Sequence, residues 1–286
     1  MRAEPRAGDP PIRPAASCIA KALAGAVRLQ AVRPFDESAY LGRVEGVNGL
    51  LDHEAFERLL SVAPEVKLVE HGGNGAYEER RVSGATALER TGEASVCIVG
   101  ATRLLPEMAQ LALDSTAALH SNVPVSGNLY SSPPGRGFPP HFDNKAALVL
   151  QLAGTKRWRF AARAAIRLPP RSSAALGLEP EEAEWREAMT VDLGPGDALY
   201  LPPGAWHGTR ALERSLSITL SYQPLCGRHV LLTAIQAALE DVSPLAEPVP
   251  RGEQTEALES LLECARRRIA SIRTGDLLAA LRALRR

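Results

Sequence analysis

The chain has 286 residues and a mass of 30.6 kDa, which allows one large domain with an appendage or two modest domains. Hydrophobic residues make up 45% and charged residues 23%, which excludes a largely disordered or fibrous protein. The 33 Lys and Arg residues balance 33 Asp and Glu residues. Because there is no net charge to attract a polyanion, we expect no nucleic-acid partner.

Apolar runs and cysteine spacing indicate the cellular location of the protein. No run approaches the ~18–20 apolar residues of a membrane helix, and the N-terminus lacks the apolar core of a signal peptide. Cys18, Cys97, Cys226 and Cys264 have no paired spacing that would indicate disulfides or a zinc site. We therefore expect a cytoplasmic protein without a membrane partner.

The pattern before residue 120 is mainly helical. Residues 1–15 combine Pro, Gly and mixed charge, which predicts a disordered tail. Asp52 is a candidate N-cap residue. Apolar periodicity predicts helices over 17–32, 52–60 and 104–119, and a short buried strand over 94–100.

From Val123 to Tyr222 the chain changes to short runs of Val, Ile, Leu and Tyr between PPG, GxG and PG turns. This pattern predicts an antiparallel barrel or jelly roll with an interior that can hold a ligand. After Pro224 helices are predicted over 229–240, 254–271 and 275–285. We expect a mainly β fold with added helices, divided into a tail (1–15), a barrel domain (16–222) and a C-terminal helical segment (223–286).

The chemistry is concentrated in two motifs. His141 and Asp143 flank Phe142, and alternation along a strand would direct both toward one face. If residues 198–201 form a strand that ends in the PPG turn, His207 can reach them from a neighbouring strand. Two imidazoles and one carboxylate on one side of a metal are typical of non-haem Fe(II) oxygenases, which keep positions open for co-substrate and dioxygen.

Lys156 follows in the next predicted strand. A lysine in a barrel wall is costly to bury unless it meets an anion, so it either reaches outward to solvent or pairs with a ligand. A dicarboxylate co-substrate would supply that anion.

These motifs resemble a known family. The segments NLYSSPPGRGFPPHFD (128–143), VLQLAGTKRWR (149–159), LPPRSS (168–173) and GDALYLPPGAWH (196–207) are similar, in order, to the JmjC, cupin-like 2-oxoglutarate oxygenases, and most closely to their ribosomal oxygenase branch. The resemblance implies a double-stranded β-helix (jelly-roll) fold. It also implies decarboxylation of 2-oxoglutarate coupled to hydroxylation.

Residue roles follow from that resemblance, position by position. His141, Asp143 and His207 would hold Fe(II), and Lys156 would pair with the distal carboxylate of 2-oxoglutarate while dioxygen takes the last metal position. Three residues match strands that line the co-substrate pocket: Asn128, Tyr130 and, with weaker support, Ser221. A cross-strand hydroxyl is an equally good explanation for Ser221.

Several functions remain open from the sequence. The leading hypothesis is hydroxylation of an amino-acid side chain in a protein or peptide. The alternatives are a hydroxylase of a free amino acid or small metabolite, a metal-dependent cupin that uses no 2-oxoglutarate, and a non-enzymatic binding protein. The Leu and Ala stripe of the last two helices suggests packing surface, and a homodimer through these helices is a further hypothesis.

Overall fold

The computed structural model describes residues 38–44, 51–71, 77–104, 106–119, 121–240 and 255–284. The predicted tail over 1–15 and the predicted helix over 17–32 lie outside them. The chain divides after Pro224 into two units, and each is described by itself. The predicted limits of the domains remain a prediction.

The first unit contains twelve strands among its described residues, and every strand pair is antiparallel. The strands are β1 (Tyr40–Arg43), β2 (Val66–His71), β3 (Tyr77–Val82), β4 (Ser95–Ile98), β5 (Ser126–Ser132), β6 (Gly137–His141), β7 (Ala146–Ala153), β8 (Lys156–Phe160), β9 (Met189–Leu193), β10 (Asp197–Leu201), β11 (His207–Ala211) and β12 (Ser215–Tyr222).

These strands form two sheets. The larger has the order β1-β10-β7-β12-β5-β4-β2-β3, and the smaller has the order β6-β11-β8-β9. Sequence neighbours such as β7 and β8 lie in different sheets, so the chain crosses repeatedly between them, as in a jelly roll. The predicted fold class is confirmed, and β5 to β12 account for the strands predicted between residues 123 and 222.

Strand alternation separates two apolar regions. One face of β7, β10 and β12 packs against helices, with Leu150, Ile218 and Tyr200 nearly inaccessible to solvent. The opposite face of β7 and β10 meets β8 and β9 across the interior. That inner cluster consists of Ala147, Val149, Trp158, Phe160, Leu193, Leu199 and Leu201.

Among its described residues, the first unit has the α-helices α1 (His53–Val62), α2 (Gly84–Leu88), α3 (Pro106–Ala118), α4 (Ser173–Leu176) and α5 (Glu182–Arg186). The predicted second helix is confirmed as α1. Its predicted N-cap is confirmed too, because the Asp52 carboxylate accepts a hydrogen bond of 2.7 Å from the Ala55 N–H. The predicted strand at 94–100 corresponds to β4, and the helix at 104–119 to α3.

Strands β1, β2 and β3 extend the larger sheet beyond the predicted barrel. Sequence patterning missed β3 because its sequence, YEERRV, has no apolar alternation and its side chains are mostly exposed. Charge pairs across to β2 hold it instead, including Lys67 with Glu79 at 2.9 Å and Arg80 with Glu70. Charged side chains at a sheet edge also oppose pairing with another chain.

The second unit contains helices α6 (Gly227–Glu240), α7 (Thr255–Ala270) and α8 (Thr274–Leu284), close to the predicted bounds. None of the described helices of the chain is both long and apolar enough to cross a membrane.

The packing of β7 can be tested by truncating one core side chain. Leu150 is fully buried and lies opposite Ile218 of β12. We expect Leu150→Ala to lower the free energy of unfolding in urea by about 2–5 kcal/mol. Leu41→Ala, at a half-exposed position of edge strand β1, should change it by less than ~0.5 kcal/mol. Equal effects of the two variants would contradict this description of the core.

Candidate metal centre

Pairing of β6 with β11 brings two distant histidines together. His141 is the last residue of β6, His207 is the first of β11, and the antiparallel register places them opposite each other. Their ring centroids are 4.3 Å apart. The sequence prediction that His207 arrives from a neighbouring strand after a PPG turn is confirmed.

Asp143 joins them from beyond the end of β6. Its Oδ2 lies 3.9 Å from Nε2 of His207. The ligand atoms of His141 and Asp143 lie on the same side, as alternation predicted, although β6 as such ends at His141. Two hydrogen bonds hold the residues that follow: the Phe142 N–H donates to the Ser173 hydroxyl at 3.0 Å, and the Asp143 carbonyl accepts from the Gly204 N–H at 2.8 Å.

The turn that precedes His207 requires glycine. Gly204 has φ +86°, and a Cβ there would lie 1.9 Å from the Ile166 carbonyl oxygen. The backbone can therefore pass close to its neighbour and still present the Gly204 N–H to Asp143. Trp206 packs edge-on against Phe142, with ring centroids 4.8 Å apart, which fixes the two ligand-bearing segments to each other.

Hydrogen bonds to carbonyl groups set the tautomer of both imidazoles. Nδ1 of His141 lies 2.8 Å from the Pro139 carbonyl oxygen, and Nδ1 of His207 lies 2.9 Å from that of Ala205. Because a carbonyl only accepts, each Nδ1 must carry the proton and donate it. Nε2 of each ring is left with its lone pair, which is the form that binds a metal.

Burial keeps His207 neutral. Its side chain is almost inaccessible, and desolvation together with the nearby His141 lowers its pKa to about 4, against a smaller opposing effect of Asp143. The indole of Trp158 stacks on the His207 ring at 6.1 Å between centroids.

The three side chains fit a single metal ion. Their ligand atoms all lie within 4.8 Å of one another, and no second group of this kind occurs in the described part of the chain. Two neutral imidazoles and one carboxylate on one side match the donor set of non-haem Fe(II) sites. The donors present therefore suit Fe(II).

Lys156 begins β8 and is 1% exposed. Its ammonium group lies 5.9 Å from the centre of the Tyr130 ring, and no carboxylate among the described residues pairs with it. Desolvation lowers its pKa to about 8, slightly offset by Cys97. The alternative in which Lys156 reaches outward to solvent is wrong, because the side chain is buried.

Asn128 and Tyr130 lie on one face of β5. The Asn128 amide oxygen accepts from the Gly100 N–H at 2.9 Å, and its amide nitrogen donates to the Tyr130 hydroxyl at 3.4 Å. Burial raises the pKa of Tyr130 well above its usual value, so this hydroxyl stays protonated. Asn128 thereby positions Tyr130, whose ring is the one beneath Lys156.

Ser221 lies near the end of β12, opposite Ser126 and Ala147. The residue opposite Tyr130 is Ser217, four positions earlier and about 13 Å away along the strand. Ser217 shares the predicted face with Ser221, but only the strand register shows which hydroxyl lies beside Tyr130.

Sequence reasoning also missed two residues that shape the centre. Ser173 anchors the turn after His141, and Trp158 covers the ring of His207. Both lie within segments that carried the family resemblance. A signal for Trp158 was available, since it lies two residues after Lys156 and must share its face of β8.

Part of the chain is similar to a known domain family. A family profile described as the JmjC domain matches residues 104–229. This stretch is less than half of the chain, and over it the predicted resemblance to the JmjC family is confirmed.

The relatives also support the predicted branch. The chain is 34% identical over 155 residues to a bifunctional lysine-specific demethylase and histidyl-hydroxylase NO66 of Drosophila mojavensis, covering 51% of the chain and 17% of that protein. It is 34% identical over 126 residues to ribosomal oxygenase 2 of Rattus norvegicus, covering 42% and 26% respectively. The chain thus spans only about a sixth to a quarter of the length of these relatives.

Solved structures agree on the fold. YcfD, a ribosomal oxygenase from Escherichia coli in complex with cobalt and succinic acid, superposes with a TM-score of 0.56 at 18% identity, covering 85% of this chain and 66% of YcfD. A YcfD structure with cobalt and 2-oxoglutarate gives 0.54 at 16% identity, covering 86% and 67%. At these identities the likeness concerns the fold.

Metal binding gives a direct test of the centre. We expect His207→Ala to weaken the affinity for Fe(II) or Co(II) by about 100-fold or more, because one of three protein donors is removed while the strands remain paired. The metal affinity is measured by anaerobic titration calorimetry. His53→Ala, at the start of α1, is the matched control and should bind metal as the wild type does. Unchanged affinity in His207→Ala would show that the metal lies elsewhere.

Proposed function

We propose that the chain is an Fe(II)- and 2-oxoglutarate-dependent dioxygenase that hydroxylates an amino-acid side chain in a protein or peptide. One observation carries this proposal most strongly. A buried lysine without a counter-charge among the described residues lies in the same inner wall, between the two sheets, as the two histidines and the aspartate.

The buried Lys156 ammonium group favours the binding of an anionic ligand. An ammonium group loses several kcal/mol of hydration on burial, and proteins normally offset this loss with an anion. Lys156, Trp158 and Phe160 alternate inward on β8, and Phe160 is the residue opposite His207. A keto diacid held by Lys156 at one end would therefore extend along β8 toward the metal ligands.

Each side chain has a defined part in this scheme. His141, Asp143 and His207 would hold the metal, and Lys156 would bind the distal carboxylate by a charge-assisted contact. When bound, Fe(II), 2-oxoglutarate and dioxygen supply the oxidation, in which one oxygen atom enters a substrate C–H bond and the other leaves in succinate as carbon dioxide is released. The inner apolar cluster would keep water away from the bound co-substrate.

Two alternatives are less well supported. A cupin that uses no 2-oxoglutarate has no need of a buried cation beside its metal site. A non-enzymatic binding protein has no need of two histidines with Nδ1 held and Nε2 free. The buried ammonium and the fixed tautomers both favour the oxygenase.

The substrate class rests on the relatives. They are named for ribosomal oxygenase, histidyl-hydroxylase and lysine demethylase activities. We therefore favour a protein or peptide substrate, with ribosomal proteins the first to test, over a free amino acid or small metabolite. Ser221 stays a proposed part of the co-substrate pocket, with less support than Asn128 and Tyr130.

Two further expectations also stay proposals. The described helices of the second unit expose several large apolar side chains, and this exposure supports a homodimer through these helices. The side chains are Leu231, Leu232, Leu258, Leu262, Ile269 and Leu278.

Cys97, Cys226 and Cys264 are free thiols, which is compatible with the expected cytoplasmic location.

The proposed role of Lys156 predicts a selective loss. Lys156→Met should weaken the binding of 2-oxoglutarate to the metal-loaded protein by at least about 30-fold. Its affinity for the metal should equal that of the wild type. Arg157→Met is the matched control, because Arg157 faces outward and pairs with Asp192 at 2.7 Å. Both affinities are measured by calorimetry. An equal loss of metal and 2-oxoglutarate affinity in Lys156→Met would overturn the assignment.

Binding of 2-oxoglutarate should also depend on pH. The pKa of Lys156 in the free protein is about 8, so its positive charge is present below that pH and disappears above it. Cys97 has a pKa raised to about 12 by burial, and Tyr130 also stays neutral. We expect the affinity to fall about tenfold between pH 7 and pH 9. Lys156→Arg, which keeps its charge, should show no such fall if it binds the ligand.

The reaction itself is tested with the full chain. The protein is incubated with Fe(II), 2-oxoglutarate, ascorbate and air, together with peptides from ribosomal proteins. We expect succinate to form and a peptide to gain the mass of one oxygen atom, located by tandem mass spectrometry. Asp143→Ala should give neither product. If metal-loaded wild-type protein forms no succinate with any substrate, including free amino acids, the proposed function is wrong.

A further inference from the structure

The indole N–H of Trp158 is a buried hydrogen-bond donor without an acceptor. The side chain is 7% exposed, its nitrogen is inaccessible, and no partner for it occurs in the described part of the chain. The other indole in this region differs, because Trp206 interacts with the Glu184 carboxylate. Of these two indoles, only that of Trp158 is buried without an acceptor among the described residues.

Trp158 lies between Lys156 and the candidate metal ligands. It is the middle residue of β8, with Lys156 and Phe160 two positions away on the same inward face. Its ring packs in the inner cluster and stacks on His207 at 6.1 Å between centroids, with 26° between the planes. A ligand that joined Lys156 to the metal ligands would have to pass beside this indole.

Proteins seldom leave a buried donor unsatisfied. A donor without an acceptor loses its hydrogen bond to water and gains nothing in return, so such groups usually mark a site where a ligand or ordered water completes the pairing. The ammonium group of Lys156, on the same face of the same strand, also has no anionic partner among the described residues. Two neighbouring donors of this kind call for an anion with several acceptor oxygens.

We propose that the Trp158 indole N–H donates a hydrogen bond to a carboxylate oxygen of the bound keto diacid, and that Trp158 thereby positions the co-substrate. This proposal rests on the function proposed above. A carboxylate is the acceptor that fits best, since an anionic oxygen makes a stronger bond with an N–H than a neutral one does. Stacking on His207 fixes the ring plane, so the donor is oriented before the ligand arrives.

Trp158→Phe tests the N–H directly, because phenylalanine retains an aromatic ring against His207 and removes only the donor-bearing part of the indole. We expect the affinity of the metal-loaded protein for 2-oxoglutarate to fall about tenfold or more, and the metal affinity to stay within about twofold. Trp185→Phe is the matched control. Trp185 lies in α5 with its ring against the Arg159 guanidinium at 4.9 Å, and its replacement should change neither affinity.

A spectroscopic measurement provides a readout that needs no turnover. The chain has three tryptophans, so its 15N–1H spectrum should contain three indole signals, and the one absent from Trp158→Phe belongs to Trp158. In the zinc-loaded protein, 2-oxoglutarate should shift this signal strongly downfield and leave that of Trp185 in place. A structural role alone would not produce such a shift.

The outcomes separate the two proposals. If 2-oxoglutarate binds the wild type but the Trp158 signal does not move, or Trp158→Phe binds it equally well, the role of Trp158 is wrong and the proposed function stands. A parallel loss of metal affinity in Trp158→Phe would mean that the indole only supports His207. If 2-oxoglutarate fails to bind the metal-loaded wild type, both proposals are overturned.

Discussion

Antiparallel pairing of β6 with β11 is the constraint on which the candidate centre depends. It sets His141 opposite His207, and their free Nε2 atoms can converge only in this register. Two contacts between the loops that follow or precede these strands keep the register in place. They are the hydrogen bond from the Gly204 N–H to the Asp143 carbonyl and the packing of Phe142 on Trp206.

Strand β8 connects this centre to the interior between the two sheets. Its inward residues bear an ammonium group, an indole N–H and an apolar ring, while its outward residues Arg157 and Arg159 pair with Asp192 and Trp185. The two inward donors are costly to bury without acceptors. An anionic ligand bound beside the candidate metal ligands would supply the missing acceptors and raise the stability of the fold.

Much of this architecture was predictable from local patterns. Turn-bounded apolar runs predicted β5 to β12, and the N-cap at Asp52 predicted α1. The order of the motifs predicted the triad and the family. Strand β3 escaped prediction because it is held by charge pairs with β2 and has no buried face. Asp143 was predicted to lie beside His141, and it does so just beyond the end of β6, where hydrogen bonds to Ser173 and Gly204 hold the segment.

The sequence by itself determined which donors the chain carries and which short runs become strands, because alternation and turn chemistry are local. Only the tertiary structure decided that Nε2 is the free nitrogen of both histidines, that Ser217 and not Ser221 lies opposite Tyr130, and that the Lys156 and Trp158 donors have no partner among the described residues. These properties depend on register and packing between distant segments. A one-residue change of register would turn every side chain to the other face.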